Sequence, residues 1–371
     1  MTISKKVEQI ISKSSWIRKM FEEGARLKAE HGKDNVFDFS IGNPNLQPPD
    51  EFQEALEKTA MHKIHGRHSY MPNAGLPDVR EKIAEFGALN VIFKTIINPG
   101  DEIICPSPFF VEYTFYADNH GGVLKTVPTN SDFTLNLESI EEAIGDKTKA
   151  VLINSPNNPT GQIYSAESLK KLGDLLEKKS RELNRCIYLI SDEPYRKIIF
   201  DDVTVPSIFK AYKESIVITS YSKDLSIPGE RIGFLAVNPA CTHKTAILSG
   251  AALSNRILGF VNAPALMQRV LAKVQGFKVD IGQYKRKRDL FCKGLAECGY
   301  EFLTPPGAFY LFPKCPISDD VKFVRALQEE LILAVPGSGF GGPGYFRLAF
   351  CVEDQSIIDA MPGFAKVIKN F

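Results

Sequence analysis

Lys223 stands in the run Ser220-Tyr-Ser-Lys-Asp-Leu-Ser-Ile-Pro-Gly-Glu-Arg-Ile-Gly233, where an amine, hydroxyls and an arginine follow directly on an apolar stretch. A lysine amine can bond covalently to a carbonyl ligand. Arg231, eight residues on, offers a planar fork of donors suited to a phosphate. Two further stretches have the same build. Ala150-Val-Leu-Ile runs into Asn154-Ser-Pro-Asn-Asn158-Pro-Thr-Gly161, a cluster of turn formers, and Cys186-Ile-Tyr-Leu-Ile ends in Ser191-Asp192-Glu193-Pro-Tyr195. The inventory is therefore an amine (Lys223), a carboxylate (Asp192), an amide (Asn158), a phenol (Tyr195) and a hydroxyl-guanidinium pair (Ser220, Arg231).

Short apolar runs such as Ile216-Val-Ile-Thr219 read as buried strands. Three of them, each delivering polar side chains at its carboxyl end, match the ligand edge of an open, mostly parallel α/β sheet. Pyridoxal phosphate needs such a set: an amine for its aldehyde, an anion for its ring nitrogen, donors for its 3′-oxygen, and cations and hydroxyls for its phosphate.

The motif S-x-S-K-x7-R-x-G around Lys223, the run Asn158-Pro159-Thr160-Gly161 and the run Asp192-Glu193-Pro194-Tyr195 together resemble the class I and II aminotransferases of fold type I. The resemblance covers nearly the whole chain, and the lysine motif is its most specific part. It implies that Lys223 forms the aldimine and shuttles a proton at the substrate Cα, and that Asp192 keeps the pyridine nitrogen protonated. Asn158 and Tyr195 would bond the 3′-oxygen, Asn158 also facing substrate, while Ser220, Ser222 and Arg231 hold the phosphate. Phe110, in Pro108-Phe-Phe-Val-Glu-Tyr113, takes the place of the aromatic stacked on the ring, although core packing explains either phenylalanine equally well. Tyr70, in Ser69-Tyr-Met-Pro-Asn-Ala-Gly75, matches a tyrosine reaching the partner's phosphate in a homodimer. In Gly344-Tyr-Phe-Arg-Leu, Arg347 would bind the substrate α-carboxylate, and Ile41 and Gly42, in Ser40-Ile-Gly-Asn-Pro44, would touch the substrate. The expected reaction moves an amino group between an amino acid and a 2-oxo acid. Elimination by a lyase uses the same activated Cα and is the alternative; a non-enzymatic regulator of this fold is the further one, and it normally carries an added DNA-binding module for which this chain shows no spare residues or basic segment.

Composition agrees with this class. A chain of 371 residues suits two domains around a cleft. The resemblance implies a large cofactor-binding domain over 46–275, built on the parallel sheet, and a smaller α+β domain from both ends, 1–45 and 276–371. With 45 basic against 44 acidic residues the formal charge is +1, so no footprint for nucleic acid is present. No apolar stretch reaches the length of a membrane span, and Met1-Thr-Ile-Ser-Lys-Lys leads into a charged amphipathic segment, so a cytoplasmic enzyme is expected. Seven cysteines, at 105, 186, 241, 292, 298, 315 and 351, form no Cys-x-x-Cys pair and argue against disulfides and structural metal.

Trp16 to His31 has the apolar spacing of a helix, and Phe309-Tyr-Leu-Phe and Phe346-Arg-Leu-Ala-Phe read as strands of the smaller domain. Tyr284-Lys-Arg-Lys-Arg288 opens a charged helix with an expected solvated face. Gly337-Ser-Gly-Phe-Gly-Gly342 fits the dinucleotide pattern G-x-G-x-x-G, but a strand follows where that fingerprint requires a helix. Leu76–Phe86 and Ala88–Ile97 both read as helices with only Gly87 between them, whereas the family has a turn, a strand and a phosphate loop there. Either the chain lacks that segment or residues are missing from the numbering between Phe86 and Gly87; the expectation is the second.

Overall fold

The computed structural model describes residues 16–62, 71–72, 75–76 and 88–371. Tyr70, the expected Leu76–Phe86 helix beyond residue 76, and the Phe86–Gly87 junction lie outside these residues. Phe86 and Gly87 are neighbours in the sequence; the expectation of residues missing between them lies outside the described residues.

In chain order the described strands are β1 (Phe37–Asp38), β2 (Glu102–Ser107), β3 (Val123–Pro128), β4 (Thr148–Asn154), β5 (Tyr188–Asp192) and β6 (Ser215–Ser220). Then follow β7 (Gly233–Val237), β8 (Tyr310–Leu311), β9 (Ile332–Leu333), β10 (Val335–Pro336) and β11 (Phe346–Ala349). The chain divides into two compact units. One takes the N-terminal residues to Asn43 with Gly282–Pro305 and Phe309–Phe371; the other takes Pro44–Ile281 and Pro306–Ala308. The second boundary falls later than the expected 275/276. Val279 is buried and donates its N–H to the Asp224 carbonyl at 2.8 Å, which ties that stretch to the larger unit.

In the larger unit a six-stranded sheet has the order β3-β2-β4-β5-β6-β7, parallel except for β7. A parallel sheet must bury both faces, and the alternation of strand side chains supplies two cores. Ile103, Leu152, Ile190 and Ile216 point to one face, where Ile92, Phe93 and Ile96 of the helix Ala88–Ile96 pack. Ile104, Val151, Ile153 and Leu189 point to the other, against Leu169, Leu172 and Leu176 of the helix Ala166–Glu182. That helix begins where Ser165 accepts a hydrogen bond from the Ser168 N–H. Registry sets Asn154 beside Asp192 and Asp192 beside Ile218, so β4, β5 and β6 end together.

The smaller unit pairs β1 with β9 in parallel and builds a second, antiparallel sheet of order β10-β11-β8. Its helix Ile281–Cys298 corrects one expectation. Tyr284, Lys287 and Arg288 are buried, not solvated. The Lys287 ammonium donates to the Val352 carbonyl at 2.5 Å and to Asp354 at 2.9 Å, and Arg288 reaches the Pro305 carbonyl, so the charges enter the interior already paired. Gly337–Phe340 forms a single 3-10 turn before β11, so no helix opens at the glycine-rich run, as the sequence context requires.

Candidate active site

The polar residues of the larger unit gather where β4, β5 and β6 end. Asn154 Nδ2 donates to the Asp192 carbonyl at 2.8 Å, and Asn154 Oδ1 accepts from the Asn158 N–H at 2.7 Å. The loop carrying Asn158 is thereby fixed to the end of the neighbouring strand, and Asn157 fastens its far side by accepting from Thr160. Asn158 and Tyr195 are buried.

Asp192 receives a hydrogen bond of 2.6 Å from the Tyr113 hydroxyl. Burial pushes its carboxyl up to about 7; the Tyr113 bond works against that rise, and the charge of Glu193 adds to it. A buried carboxylate that is costly to ionise becomes cheap beside a cation. Tyr113 has no signal in the sequence that ties it to Asp192, because the contact spans 79 positions. Phe110, half-buried, meets the Tyr113 ring edge-on at 5.5 Å.

Lys223 follows β6 in a turn and is half-buried, its Nζ 6.0 Å from the Tyr195 ring centroid. Ser220 closes β6 opposite Gly233. A Cβ on Gly233 would stand 2.3 Å from the Thr219 carbonyl oxygen, so only glycine lets β7 lie this close. Ser222 is buried, whereas Arg231 is exposed and has φ of 53°, the left-handed region that ordinary residues avoid. Such strain is kept where a side chain must be aimed. Asp224, next to Lys223, is buried and paired with Lys197 at 2.8 Å.

The remaining expected residues belong to the smaller unit. Arg347 lies in the middle of β11, is 2% exposed, and donates to the Ser40 carbonyl at 2.6 Å. Its guanidinium carbon is 4.5 Å from the Tyr310 ring centroid and 4.6 Å from that of Phe340. Ile41 and Gly42 follow Ser40 and are partly exposed. A Cβ on Gly42 would fall 1.9 Å from the Tyr310 hydroxyl oxygen. Among the described residues no group of three or more His, Cys, Asp or Glu could hold a metal ion, and no helix is long and apolar enough to cross a membrane.

These features meet one family. The profile of aminotransferase class I and II matches residues 86–361. The chain belongs to the class I and II aminotransferases. A probable aspartate/prephenate aminotransferase of Aquifex aeolicus is 32% identical, with 91% of this chain and 92% of that protein covered. Among solved structures, an aminotransferase from Eubacterium rectale superposes with a TM-score of 0.96 at 37% identity, covering 100% of this chain and 99% of its own. The Thermus thermophilus aspartate aminotransferase with maleate gives 0.86 at 26%, covering 99% and 100%. The aminotransferase is thus an enzyme of amino-group transfer on a fold type I α/β scaffold, and nothing in these likenesses supports elimination.

Proposed function

We propose that this aminotransferase works with pyridoxal phosphate held by Lys223, Asp192, Asn158, Tyr195, Ser220, Ser222 and Arg231, and that Arg347 takes the substrate α-carboxylate, with Ile41, Gly42 and Asn158 beside the substrate. The observation that carries this reading is Asp192: a carboxyl pushed up to about 7 by burial, at the end of the strand next to the one that leads to Lys223. Such a carboxyl suits a cationic ring nitrogen as its partner. When bound, the cofactor supplies an aldehyde for the amino group and a ring that accepts the electrons released at Cα. Lys223 moves the proton at the substrate Cα. Arg347, as a planar fork between two rings, fixes the carboxylate in one plane and so orients the Cα–H bond. Phe110 serves as the ring's stacking face.

The relatives named for aspartate put that amino acid first among donors, with a 2-oxo acid as acceptor. A homodimer, with Tyr70 reaching the partner's phosphate, fits the apolar side chains Leu248, Leu253 and Ile257 left exposed on the helix Lys244–Ile257. Seven free cysteines fit a reducing, cytoplasmic compartment. The test is a panel of amino donors with 2-oxoglutarate or pyruvate, followed by product analysis and the absorbance of the loaded protein. With aspartate as donor, its 2-oxo acid and the new amino acid are expected in equal amounts; release of ammonia without a new amino acid would overturn the reading.

A further inference from the structure

Arg347 is held from behind by a chain of contacts in the smaller unit. Its Nη2 donates to the Ser40 carbonyl, a neutral acceptor that fixes the guanidinium without cancelling its charge. The direction of that carbonyl depends on the backbone after β1. There the Ser40 N–H and hydroxyl both donate to Asp38 Oδ1, at 3.2 and 2.6 Å, and the Lys28 ammonium meets Asp38 Oδ2 at 2.6 Å. Between the two, Phe39 is pinned on both sides: its N–H donates to the Leu333 carbonyl and its carbonyl accepts from the Ala349 N–H. Space is reserved for the carboxylate as well. A Cβ on Gly24 would come 3.3 Å from Asp38 Oδ2 and 2.9 Å from Leu333 Cδ1, so the helix Trp16–His31 approaches here only as glycine.

We propose that Asp38, anchored by Lys28, is a positioning residue for amino-acid recognition that acts through the Ser40 carbonyl on Arg347. This rests on the reading that Arg347 takes the α-carboxylate. A side chain that merely stiffens β1 would change stability; one that aims Arg347 changes the affinity for the amino acid. The charge-assisted bonds at Asp38 Oδ1 hold the backbone at Ser40, one residue past the last ladder bonds, those of Phe39. Without them the Ser40 peptide can rotate, the guanidinium loses its rear support, and the fork no longer meets a carboxylate with both donors.

The experiment uses the full chain loaded with pyridoxal phosphate and compares the parent with Asp38→Asn, Arg347→Lys and the double variant in steady-state assays of the amino donor, with urea unfolding alongside. Asp38→Asn should raise KM about 10-fold while kcat stays within about 2-fold, and the same change in the Arg347→Lys background should add less than about 2-fold. Equal, independent effects in the two backgrounds, or an unchanged KM, would overturn the inference. Should Asp38→Asn fail to fold, Lys28→Met breaks the chain at its half-exposed end; a KM rise of about 3-fold, absent from the Arg347→Lys background, is expected, and no rise overturns the inference. The two readings fail differently. If Arg347→Lys leaves KM unmoved, the α-carboxylate role falls and this inference with it. If Arg347→Lys raises KM while neither Asp38→Asn nor Lys28→Met does, only the positioning role falls.

Discussion

Replacing Asp192 by Asn should make the cofactor-free protein more stable at neutral pH and erase part of its dependence on pH. In the parent, burial moves this carboxyl from the ordinary 3.8 up to about 7. Between those values the unfolded chain has released the proton and the folded protein still holds it, so stability falls as pH rises. The group therefore costs nothing at pH 3 and its full penalty above pH 7. A shift of that size corresponds to about 4 kcal/mol. Part of it is offset by the Tyr113 hydroxyl, whose bond of 2.6 Å favours the charged form and is already included in the value of about 7. Asparagine stays neutral throughout and its contact with Tyr113 is the same at every pH, so the difference between the two proteins isolates one titration. Urea unfolding of both, stripped of cofactor, from pH 4 to pH 8 would measure it. The expected result is a difference that grows in favour of Asp192→Asn across this window and levels off above pH 7. A difference that is flat with pH would refute the argument, and one that grows in favour of the parent would reverse its sign.

Three further outcomes are expected. Lys223→Ala should lower turnover by at least about 10³-fold, since the base at Cα is lost while the cofactor's other contacts remain; single-turnover absorbance with an amino donor checks it, and near-parental rates would mean that another lysine serves. Gly42→Ala puts a Cβ 1.9 Å from the Tyr310 hydroxyl oxygen, and Tyr310 stacks on Arg347, so KM for the donor should rise about 10-fold with a small change in unfolding midpoint. Lys287→Met leaves the Val352 carbonyl and one side of Asp354 without their buried ammonium and should cost about 2–4 kcal/mol in urea unfolding; a loss below about 0.5 kcal/mol would show that the pair contributes little.

Three of the six strands of the sheet, β4, β5 and β6, were legible because each is a short apolar run that stops at a cluster of polar and turn-forming residues. That pattern placed Asn158, Asp192 and Lys223 after the right strands without any knowledge of which strands were neighbours. Registry could not be read: that Asn154 stands beside Asp192 depends on how the crossovers stack β4 on β5. Tyr113 escaped for the same reason, since a hydrogen bond across 79 positions leaves no local trace. Lys287 and Arg288 were misread because four consecutive charges normally face solvent, and only the fold shows that the Val352 and Pro305 carbonyls and a half-exposed Asp354 take up their donors. The left-handed backbone of Arg231 was likewise invisible, because nothing about an arginine announces a positive φ.

The parallel pairing of β1 with β9 joins Phe37 to Ile332, and the bond from Arg347 to Ser40 spans 307 positions. During synthesis at about 5–20 residues per second, Ser40 leaves the ribosome roughly 15–60 s before its partner does. For that interval the larger unit can complete its sheet, while β1 and the fully buried Phe39 have nothing to cover them. The bond between Ser40 and Arg347 thus forms late, and a chain cut short before β11 would carry the lysine motif without the arginine proposed to take the α-carboxylate. Premature release leaves Val36 and Phe39, both buried in the finished protein, uncovered on either side of β1, so misassembly would begin at this N-terminal segment.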